Sequence, residues 1–594
     1  MKHIAAILLA FLASVATAKY SRLDVDVSKL PGEKGVLARL VRSRVYERTP
    51  PSPSGKVFRV EFTIDGSLSN ETAVVHVADG CAKVHGGRFR ALVFGAGCLL
   101  RSLRYGAKSF DVSCGEFVFR PAKPIREVYL ARHFNTWYHR ASAEELSRYV
   151  DDLVLCGVNS IKSFAQVAAV DRRLSDESER QMFDATTRAL VRHIKDLDIG
   201  FAVSGGGNVS GKAIPQSMKA ERYGPEVMRG FSDFSVCPGK TGGLEQLLSE
   251  RREALKASEG LAIDEFVYWP YDEGGCACAA CSPWGGRGYL KLIERMAKMN
   301  GAEHPEARHI VSTWLFDDDD WKGLYRYLET HDWIGGIVVD SHDKFPEYPL
   351  RHPVPKNIPV VTFPEVSMWG RFPWGGTGAT PLPRRFERLF REAEPVASGF
   401  SVYSEGLFDD ISKFEIAALY VNPKSSYRDA LAEYCRYEFP GADAADFVRL
   451  CEILEDIHCT SLDPNAHAGD TSNNSFANYV KLADDAELSR RAAAADDARA
   501  LAEKIEQAML PCRRGTWRWR QIALRAKIDA AVYRARDIRA DAAVAAYREL
   551  LELYHAERQY RLMCEGCPFA GYTCPPLVDH LETTKRHNTK GKTK

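Results

Sequence analysis

The first regular pattern in the chain is an alternation of apolar and polar residues with the two-residue period of a half-buried strand. Val57–Ile64 and Ala73–Ala78 both show it, and Glu116–Phe119 is a further strand candidate. Between them, Phe89–Leu103 carries apolar residues at helical spacing. These elements predict a small α/β domain over residues 56–122.

After Pro124 apolar runs alternate with amphipathic segments, which is typical of parallel βαβ units. Eight runs are predicted strands: 127–134, 158–164, 199–205, 263–270, 308–315, 334–340, 358–364 and 399–404. The helical patterns between them include 143–156, 177–197, 244–258, 289–299 and 383–393. We therefore predict a (β/α)8 TIM barrel over residues 123–421. A doubly wound open sheet is the alternative, but no Gly-x-Gly-x-x-Gly motif opens any of these helices.

Three flanking regions complete the predicted organisation. Residues 19–55 end in a stretch rich in proline and serine and are predicted to be an N-terminal segment and linker. Residues 422–575 carry long Ala-rich amphipathic patterns, such as 486–509 and 521–554, and predict a C-terminal helical domain. Residues 576–594 form a basic tail that is expected to be flexible.

The first 18 residues have the pattern of a secretory signal peptide. Lys2 and His3 precede the apolar run Ile4–Val15, and Ala16-Thr17-Ala18 follows as a cleavage site. No later stretch approaches 18 consecutive apolar residues, so no membrane span is expected. The sequence thus predicts a protein that is exported to the periplasm or the extracellular space.

Composition and net charge indicate which kinds of molecule the protein can be expected to bind. The 594 residues are 45% hydrophobic, 27% charged and 10% aromatic, which is ordinary for a globular protein of several domains. The formal net charge is +1, so no nucleic-acid partner is expected.

Acids and aromatic rings stand where the predicted strands end, which is the face on which TIM barrels carry their active sites. Asp272 and Glu273 follow the fourth strand and are the candidate acid–base pair. The other candidate ligand-binding residues at strand ends are His133, Lys162, Trp314, Asp340, His342, Glu365, Trp369, Tyr403 and Glu405. Rings that stack on sugar faces, with acids that bind hydroxyls, predict a carbohydrate substrate.

Fifteen cysteines, an odd number, imply disulfides, a metal site or both. Cys276, Cys278 and Cys281 follow the acid pair closely, and Cys237 is a possible fourth member from the loop after strand three. Two interpretations stay open: a closed structural zinc site, or a disulfide within the group. Either would stiffen the loop that bears Asp272 and Glu273. No His-Glu-x-x-His motif is present, so no cofactor is expected to be required for catalysis.

Two further clusters have simpler interpretations. Asp317–Asp320 lacks the spaced ligands of a calcium loop and is predicted to be the capped start of a helix. Cys564, Cys567 and Cys574 lack a paired histidine or a second Cys-x-x-Cys, so a disulfide is expected there rather than a metal.

Two segments resemble the family 20 glycoside hydrolases. Arg126–Phe134 is similar to the first barrel strand of that family, which typically opens with Arg and ends in Arg-His-Phe. Phe94–Leu103 resembles the helix of the zincin-like α/β domain that precedes those barrels, and Asp272-Glu273 falls where the family keeps its catalytic Asp-Glu pair. Related (β/α)8 glycosidases share this layout.

The resemblance implies a β-N-acetylhexosaminidase-like reaction. Glu273 would be the general acid, and Asp272 would orient a substrate 2-acetamido group whose carbonyl oxygen is the nucleophile. Arg126 would hold hydroxyls of the terminal sugar. Trp314, Trp369 and Tyr403 would form the pocket walls.

Other functions stay open because Pro270-Tyr271 stands where family 20 has Gly-Gly before its acid pair. In a two-carboxylate scheme, Glu273 would be the acid and Glu405 or Glu365 the nucleophile or base. An exo-hydrolase of uronic or sialic acid glycosides is a further alternative, with carboxylate partners among Lys162, Arg126 and Arg132. A non-catalytic glycan-binding protein on the same barrel is the alternative from a different class.

Overall fold

The computed structural model describes residues 19–30, 35–132, 137–163, 177–223, 234–271, 274–342, 344–367, 381–404, 410–458, 483–537 and 540–553. The chain divides into two compact units. The first comprises residues 1–119 with 510–512, and the second comprises residues 120–509 with 513–594. No helix among the described residues is long and apolar enough to cross a membrane.

The first unit is an α/β domain with a five-stranded sheet of order β1-β2-β4-β3-β7. Its strands are β1 (Arg22–Asp26), β2 (Val57–Ile64), β3 (Ala73–Ala78), β4 (Cys81–Gly86), β5 (Arg104–Tyr105), β6 (Phe110–Asp111) and β7 (Gly115–Phe119). The helices are α1 (Gly35–Tyr46) and α2 (Phe89–Ser102). β5 and β6 form a separate two-stranded pair. Helix α2 packs its buried face on β3 and β4, as its spacing predicts.

Residues 19–55, predicted as an N-terminal segment and linker, contribute a strand and a helix to the α/β domain. β1 pairs in parallel with β2 over five residues, from Arg22 opposite Val57 to Asp26 opposite Glu61. α1 buries Leu37, Leu40 and Val41. The domain therefore begins near residue 20, and the short alternation of β1 is too brief to be distinguished from a linker by pattern alone.

The second unit contains a closed barrel of eight parallel strands, as predicted. Its strands are β8 (Ile125–Leu130), β9 (Ser160–Ser163), β10 (Gly200–Gly205), β11 (Glu265–Tyr268), β12 (Arg308–Ser312), β13 (Ile334–Asp340), β14 (Val360–Phe363), β15 (Glu365–Ser367) and β16 (Gly399–Ser404). The strands from β8 to β14 pair with their neighbours in sequence order, and β16 closes the barrel between β14 and β8. β15 continues β14 after a one-residue break, so the two form the seventh strand together.

Helices lie between the strands and continue after the barrel. They are α3 (Trp137–Arg140), α4 (Ala143–Leu155), α5 (Glu177–Asp196), α6 (Gly243–Ala257), α7 (Tyr289–Glu303), α8 (Asp318–Thr330), α9 (Glu347–Arg351), α10 (Pro383–Ala393), α11 (Asp410–Val421), α12 (Tyr427–Glu438), α13 (Ala444–Asp456), α14 (Asp485–Ala508), α15 (Pro511–Arg514), α16 (Trp517–Ala535) and α17 (Asp541–Leu553). The predicted helix over residues 521–554 is two helices, because Arg536 after α16 adopts the left-handed conformation.

The barrel interior is filled by side chains from alternate positions of the strands. Its apolar core consists of Tyr129, Ala131, Val267, Ile310, Val338, Val361, Phe363 and Tyr403, with Ile125, Trp269 and Trp314 packed against it. The aromatic members come from the C-terminal ends of their strands. The barrel is therefore closed by rings at the face where a TIM barrel carries its active site.

Candidate active site

A cluster of two acids and a histidine lies at the C-terminal ends of the sixth and seventh strands. Asp340 is the last residue of β13, His342 follows it by two residues, and Glu365 is the first residue of β15. The Nε2 atom of His342 lies 2.8 Å from Oε2 of Glu365, and its Nδ1 atom lies 3.5 Å from Oδ1 of Asp340. The side chain of Glu365 is 2% exposed and that of His342 is 17% exposed. Three predicted site residues are thus brought together.

His342 contacts both the backbone of the seventh strand and the acid that follows it. Nδ1 lies 3.2 Å from the carbonyl oxygen of Phe363, to which it donates in the tautomer that carries a proton on Nδ1. Nε2 faces Oε2 of Glu365 at 2.8 Å, and the two residues form an ion pair when the ring is protonated on both nitrogens. A histidine and a carboxylate placed side by side offer a ligand both a donor and an acceptor.

Beside this pair lies an aromatic layer made of Tyr129, Trp269, Trp314, Phe363 and Tyr403. The ring centroids of Trp269 and Phe363 are 4.8 Å apart, and those of Tyr129 and Tyr403 are 5.2 Å apart. Trp314 packs on the His342 ring at 4.6 Å. Trp269 and Trp314 are only partly buried, whereas the other three rings are buried. The two tryptophans are therefore the members of the layer that can touch a ligand.

The prediction that Lys162 binds substrate is wrong. Lys162 is fully buried, and its Nζ atom lies 3.0 Å from Oε1 of Glu127 and donates to Ser401 Oγ at 2.5 Å. The ring centroids of Tyr129, Phe363 and Trp269 lie 5.0, 5.3 and 5.7 Å from Nζ. Lys162 therefore neutralises a buried carboxylate inside the barrel, covered by the aromatic layer.

A second acid lies in the barrel interior near that ion pair. Burial, reinforced by the nearby negative charge of Glu127, raises the pKa of Glu265 to about 7, although an ion pair with Arg308 opposes the shift. Glu265 is the first residue of β11, at the opposite end of the strand from the aromatic layer. This raised pKa therefore belongs to the interior and not to the candidate site.

The structure also contradicts the predicted role of Arg126. This residue is the second of β8, at the opposite end of the barrel from the aromatic layer, and it is fully buried. Its Nε donates to the Gly157 carbonyl at 2.6 Å and its Nη1 to the Lys123 carbonyl at 2.8 Å. Arg126 thus binds the backbone segments that lead into the first and second strands. Its side chain lies away from the face where a sugar would bind.

Hydrogen bonds fix the chain on both sides of the predicted acid pair. Before it, the Tyr271 hydroxyl donates to Asp320 Oδ2 at 3.0 Å. After it, the Gly275 amide donates to Oδ1 of Asn208 at 2.7 Å, and Nδ2 of Asn208 donates to the Gly275 carbonyl at 2.8 Å. Gly275 has φ +119°, a conformation that favours glycine. The residues on either side of the pair are therefore held by neighbouring loops.

Cysteines from two of these loops meet in space. The sulfur atoms of Cys237, Cys276, Cys278 and Cys281 all lie within 4.8 Å of one another, and none of the four is in a disulfide. The predicted grouping of Cys237 with the other three is confirmed. Asp317, by contrast, caps α8 by accepting from the amides of Asp319 and Asp320, as predicted.

Several predicted site residues lie outside the described residues. They are His133, Asp272, Glu273, Trp369 and Glu405. The cysteines near the C-terminal end, Cys564, Cys567 and Cys574, lie outside them as well.

Sequence reasoning missed Trp269, Phe363 and Tyr129 as site-forming residues. All three were inside predicted strands, where rings are ordinarily core residues. The signal that could have identified Trp269 is its spacing of two from Val267, which places both side chains on the inner face of the barrel.

No family model matches the chain, and no curated protein matches it. Solved structures do match. The family GH115 4-O-methyl-α-glucuronidase BtGH115A has a TM-score of 0.57 at 10% identity, over 94% of this chain and 78% of that one. The family 89 glycoside hydrolase of Clostridium perfringens has a TM-score of 0.58 at 11% identity, over 93% and 69%. A GH20 exo-β-N-acetylglucosaminidase of Vibrio harveyi matches at a lower TM-score of 0.46 and 12% identity, over 71% and 73%. The chain thus has the barrel fold of glycoside hydrolases, as the resemblance implied.

Proposed function

We propose that this chain is a glycoside hydrolase that binds an N-acetylhexosamine-containing glycan at the C-terminal mouth of its barrel. The observation that carries the proposal is the His342–Glu365 pair beside the partly exposed rings of Trp269 and Trp314. Sugar binding needs flat apolar surfaces for C–H faces and charged hydrogen-bonding groups for hydroxyls, and these residues supply both. The fold adds support, because glycoside hydrolases use it.

In the proposed reaction Glu273 gives its proton to the glycosidic oxygen as the bond to the anomeric carbon breaks. The carbonyl oxygen of the 2-acetamido group forms the new bond to that carbon, and the Asp272 carboxylate orients the group and balances its positive charge. Water then attacks the anomeric carbon and breaks its bond to the acetamido oxygen, which opens the ring that this bond had closed. Its proton passes to the Glu273 carboxylate, which restores the acid.

The described acids have a binding role in this scheme. Asp340 is 28% exposed and can accept from a sugar hydroxyl. His342 can bind a second sugar oxygen, because its side chain is 17% exposed next to the buried Glu365. If Asp272 does not assist, Glu365 at the start of β15 is the described carboxylate that we propose as the partner of Glu273 in a two-carboxylate reaction.

A uronic or sialic acid substrate is less well supported. Two of the three cations predicted as partners of a sugar carboxylate bind other groups. Arg126 and Lys162 are fully buried against these partners. Arg132 is also fully buried, and its Nη1 atom donates to Thr187 Oγ1 at 2.6 Å, whereas its Nη2 atom has no hydrogen-bond partner among the described residues. An acetamido sugar needs no such cation, and the family 89 enzyme, which shares the fold, has been solved with its substrate GlcNAc-α-1,4-galactose.

A panel of chromogenic glycosides tests the substrate class. The purified protein would be assayed on α- and β-linked N-acetylglucosaminides, the matching glucosides, glucuronides and sialosides. We expect release from an N-acetylated substrate and none above background from the glucoside of the same linkage. Release from a glucuronide or sialoside would overturn the N-acetylhexosamine assignment. Sugar binding without any release would favour the non-catalytic glycan-binding alternative.

A further inference from the structure

We infer that Cys237, Cys276, Cys278 and Cys281 form a structural zinc site that joins the loop after the third barrel strand to the loop after the fourth. The site goes beyond the proposed hydrolase activity, and it holds whether or not the chain cleaves glycosides. Four cysteine sulfurs are the ligand set of closed zinc sites, which take no part in chemistry.

The spacing of the sulfur atoms is the first support. Cys237 Sγ lies 3.7 Å from Cys278 Sγ and 3.8 Å from Cys281 Sγ. A zinc ion with four sulfurs at about 2.3 Å in a tetrahedron puts neighbouring sulfurs about 3.8 Å apart. The measured separations equal this tetrahedral edge, and all the sulfurs lie within 4.8 Å of one another.

A disulfide fits the same spacing poorly. A disulfide bond brings two sulfurs to about 2.05 Å and so separates that pair from its neighbours. Here Cys237 lies 3.7 Å from Cys278 and 3.8 Å from Cys281, and none of the four cysteines is in a disulfide. Two nearly equal separations at the tetrahedral edge favour a shared central ligand over a bond from Cys237 to either partner.

Burial of the cluster is a further support, because closed zinc sites are shielded from water. Cys237, Cys276 and Cys281 are buried, so their sulfurs are shielded from solvent.

The location of the four cysteines on two loops indicates what the zinc ion would do. Cys237 and Cys278 lie 41 residues apart, on different loops. Other contacts also join these loops: the Ala277 amide donates to the Glu221 carbonyl at 2.9 Å, and Asn208 bonds to Gly275. Cys276 lies three residues after Glu273 in the chain. The zinc ion would therefore anchor the C-terminal side of the segment that carries Asp272 and Glu273.

Metal analysis of the full chain tests the site directly. The protein would be purified without a metal-binding tag, dialysed against a mild chelator and analysed by inductively coupled plasma mass spectrometry. We expect one zinc ion per chain, and a loss of about tenfold or more in Cys237→Ser. Cys512→Ser, which removes an exposed cysteine outside the cluster, would keep the wild-type zinc content. Cys564→Ser would keep it too.

A cobalt experiment on the unaltered chain covers the case in which Cys237→Ser does not fold. Replacement of the bound metal by Co²⁺ should give the visible absorption bands of a tetrahedral tetrathiolate complex. Wild-type protein without zinc, loss of zinc in Cys564→Ser but not in Cys237→Ser, or a cobalt spectrum without thiolate bands would each overturn the proposal. So would mass-spectrometric detection of a disulfide between any two of the four cysteines.

Discussion

Oε2 of Glu365 lies 2.8 Å from Nε2 of His342 at the mouth of the barrel. The two residues come from different strands, so their meeting depends on the register of the sixth and seventh strands. Val338, Val339 and Asp340 stand opposite Val361, Thr362 and Phe363, which brings the ends of both strands to one level. The pair is thus a product of the barrel and not of local sequence.

The first prediction concerns this pair. Glu365→Gln and His342→Gln each remove a charged group from the sugar-binding surface, so each should lower kcat/KM by about 100-fold. Because the two residues act as a unit, the double variant should be no worse than the poorer single variant. Steady-state kinetics on the best chromogenic substrate measures all three. Additive losses would show that the two residues act independently.

The second prediction concerns sugar stacking. Trp314→Ala should raise KM by about fivefold to tenfold, the equivalent of about 1–1.4 kcal/mol of ring contact, with a smaller effect on kcat. Trp314→Phe keeps a ring and should retain most of the affinity. A Trp314→Ala variant with unchanged KM would remove this residue from the binding surface.

The third prediction tests the corrected role of Lys162. Lys162→Met leaves Glu127 buried without its cation and should lower the free energy of unfolding by about 3–5 kcal/mol. The double variant Lys162→Met/Glu127→Gln should recover most of that loss. Urea denaturation followed by circular dichroism measures both. If Lys162 served a substrate carboxylate instead, Lys162→Met would mainly raise KM and leave stability unchanged.

The fourth prediction concerns Glu415 on α11, which is fully buried. Neither carboxyl oxygen has a hydrogen-bond partner among the described residues, and burial raises its pKa well above the usual 4.5. Above pH 4.5 the folded chain holds a proton that the unfolded chain releases, so this group makes stability fall as pH rises. Glu415→Gln should remove this fall and gain up to about 1.4 kcal/mol over wild type per pH unit.

Urea unfolding at pH 5, 6 and 7 measures that gain, with the exposed Glu329→Gln as the matched control. A difference between Glu415→Gln and wild type that stays constant with pH would contradict the assignment.

The barrel could be predicted from sequence because its strands are buried on both faces and appear as short apolar runs between amphipathic helices. The direction in which each side chain points could not be predicted from the sequence. Lys162 faces the interior because its strand pairs with β8, where Glu127 supplies the opposite charge, and that partner is 35 residues away in the sequence. The position of Arg126 was predictable, since a residue near the start of a strand lies at the end opposite to the active-site face.

The cysteine cluster likewise depends on a contact between residues that are far apart in the sequence. Cys276, Cys278 and Cys281 are close in sequence, but the fourth sulfur comes from a loop that only the fold brings near. Spacing in the sequence left zinc and disulfide open, and the distances between sulfur atoms support the zinc site that we infer.

The central claim is that the chain hydrolyses a glycoside with Glu273 as the acid. The most direct test is kcat/KM of wild type, Glu273→Gln and the control Asp319→Asn on the N-acetylated substrate, with sugar binding measured in parallel by calorimetry. We predict a loss of about 10³-fold or more in Glu273→Gln with binding retained, and no loss in Asp319→Asn. Activity of Glu273→Gln within about threefold of wild type would contradict the account.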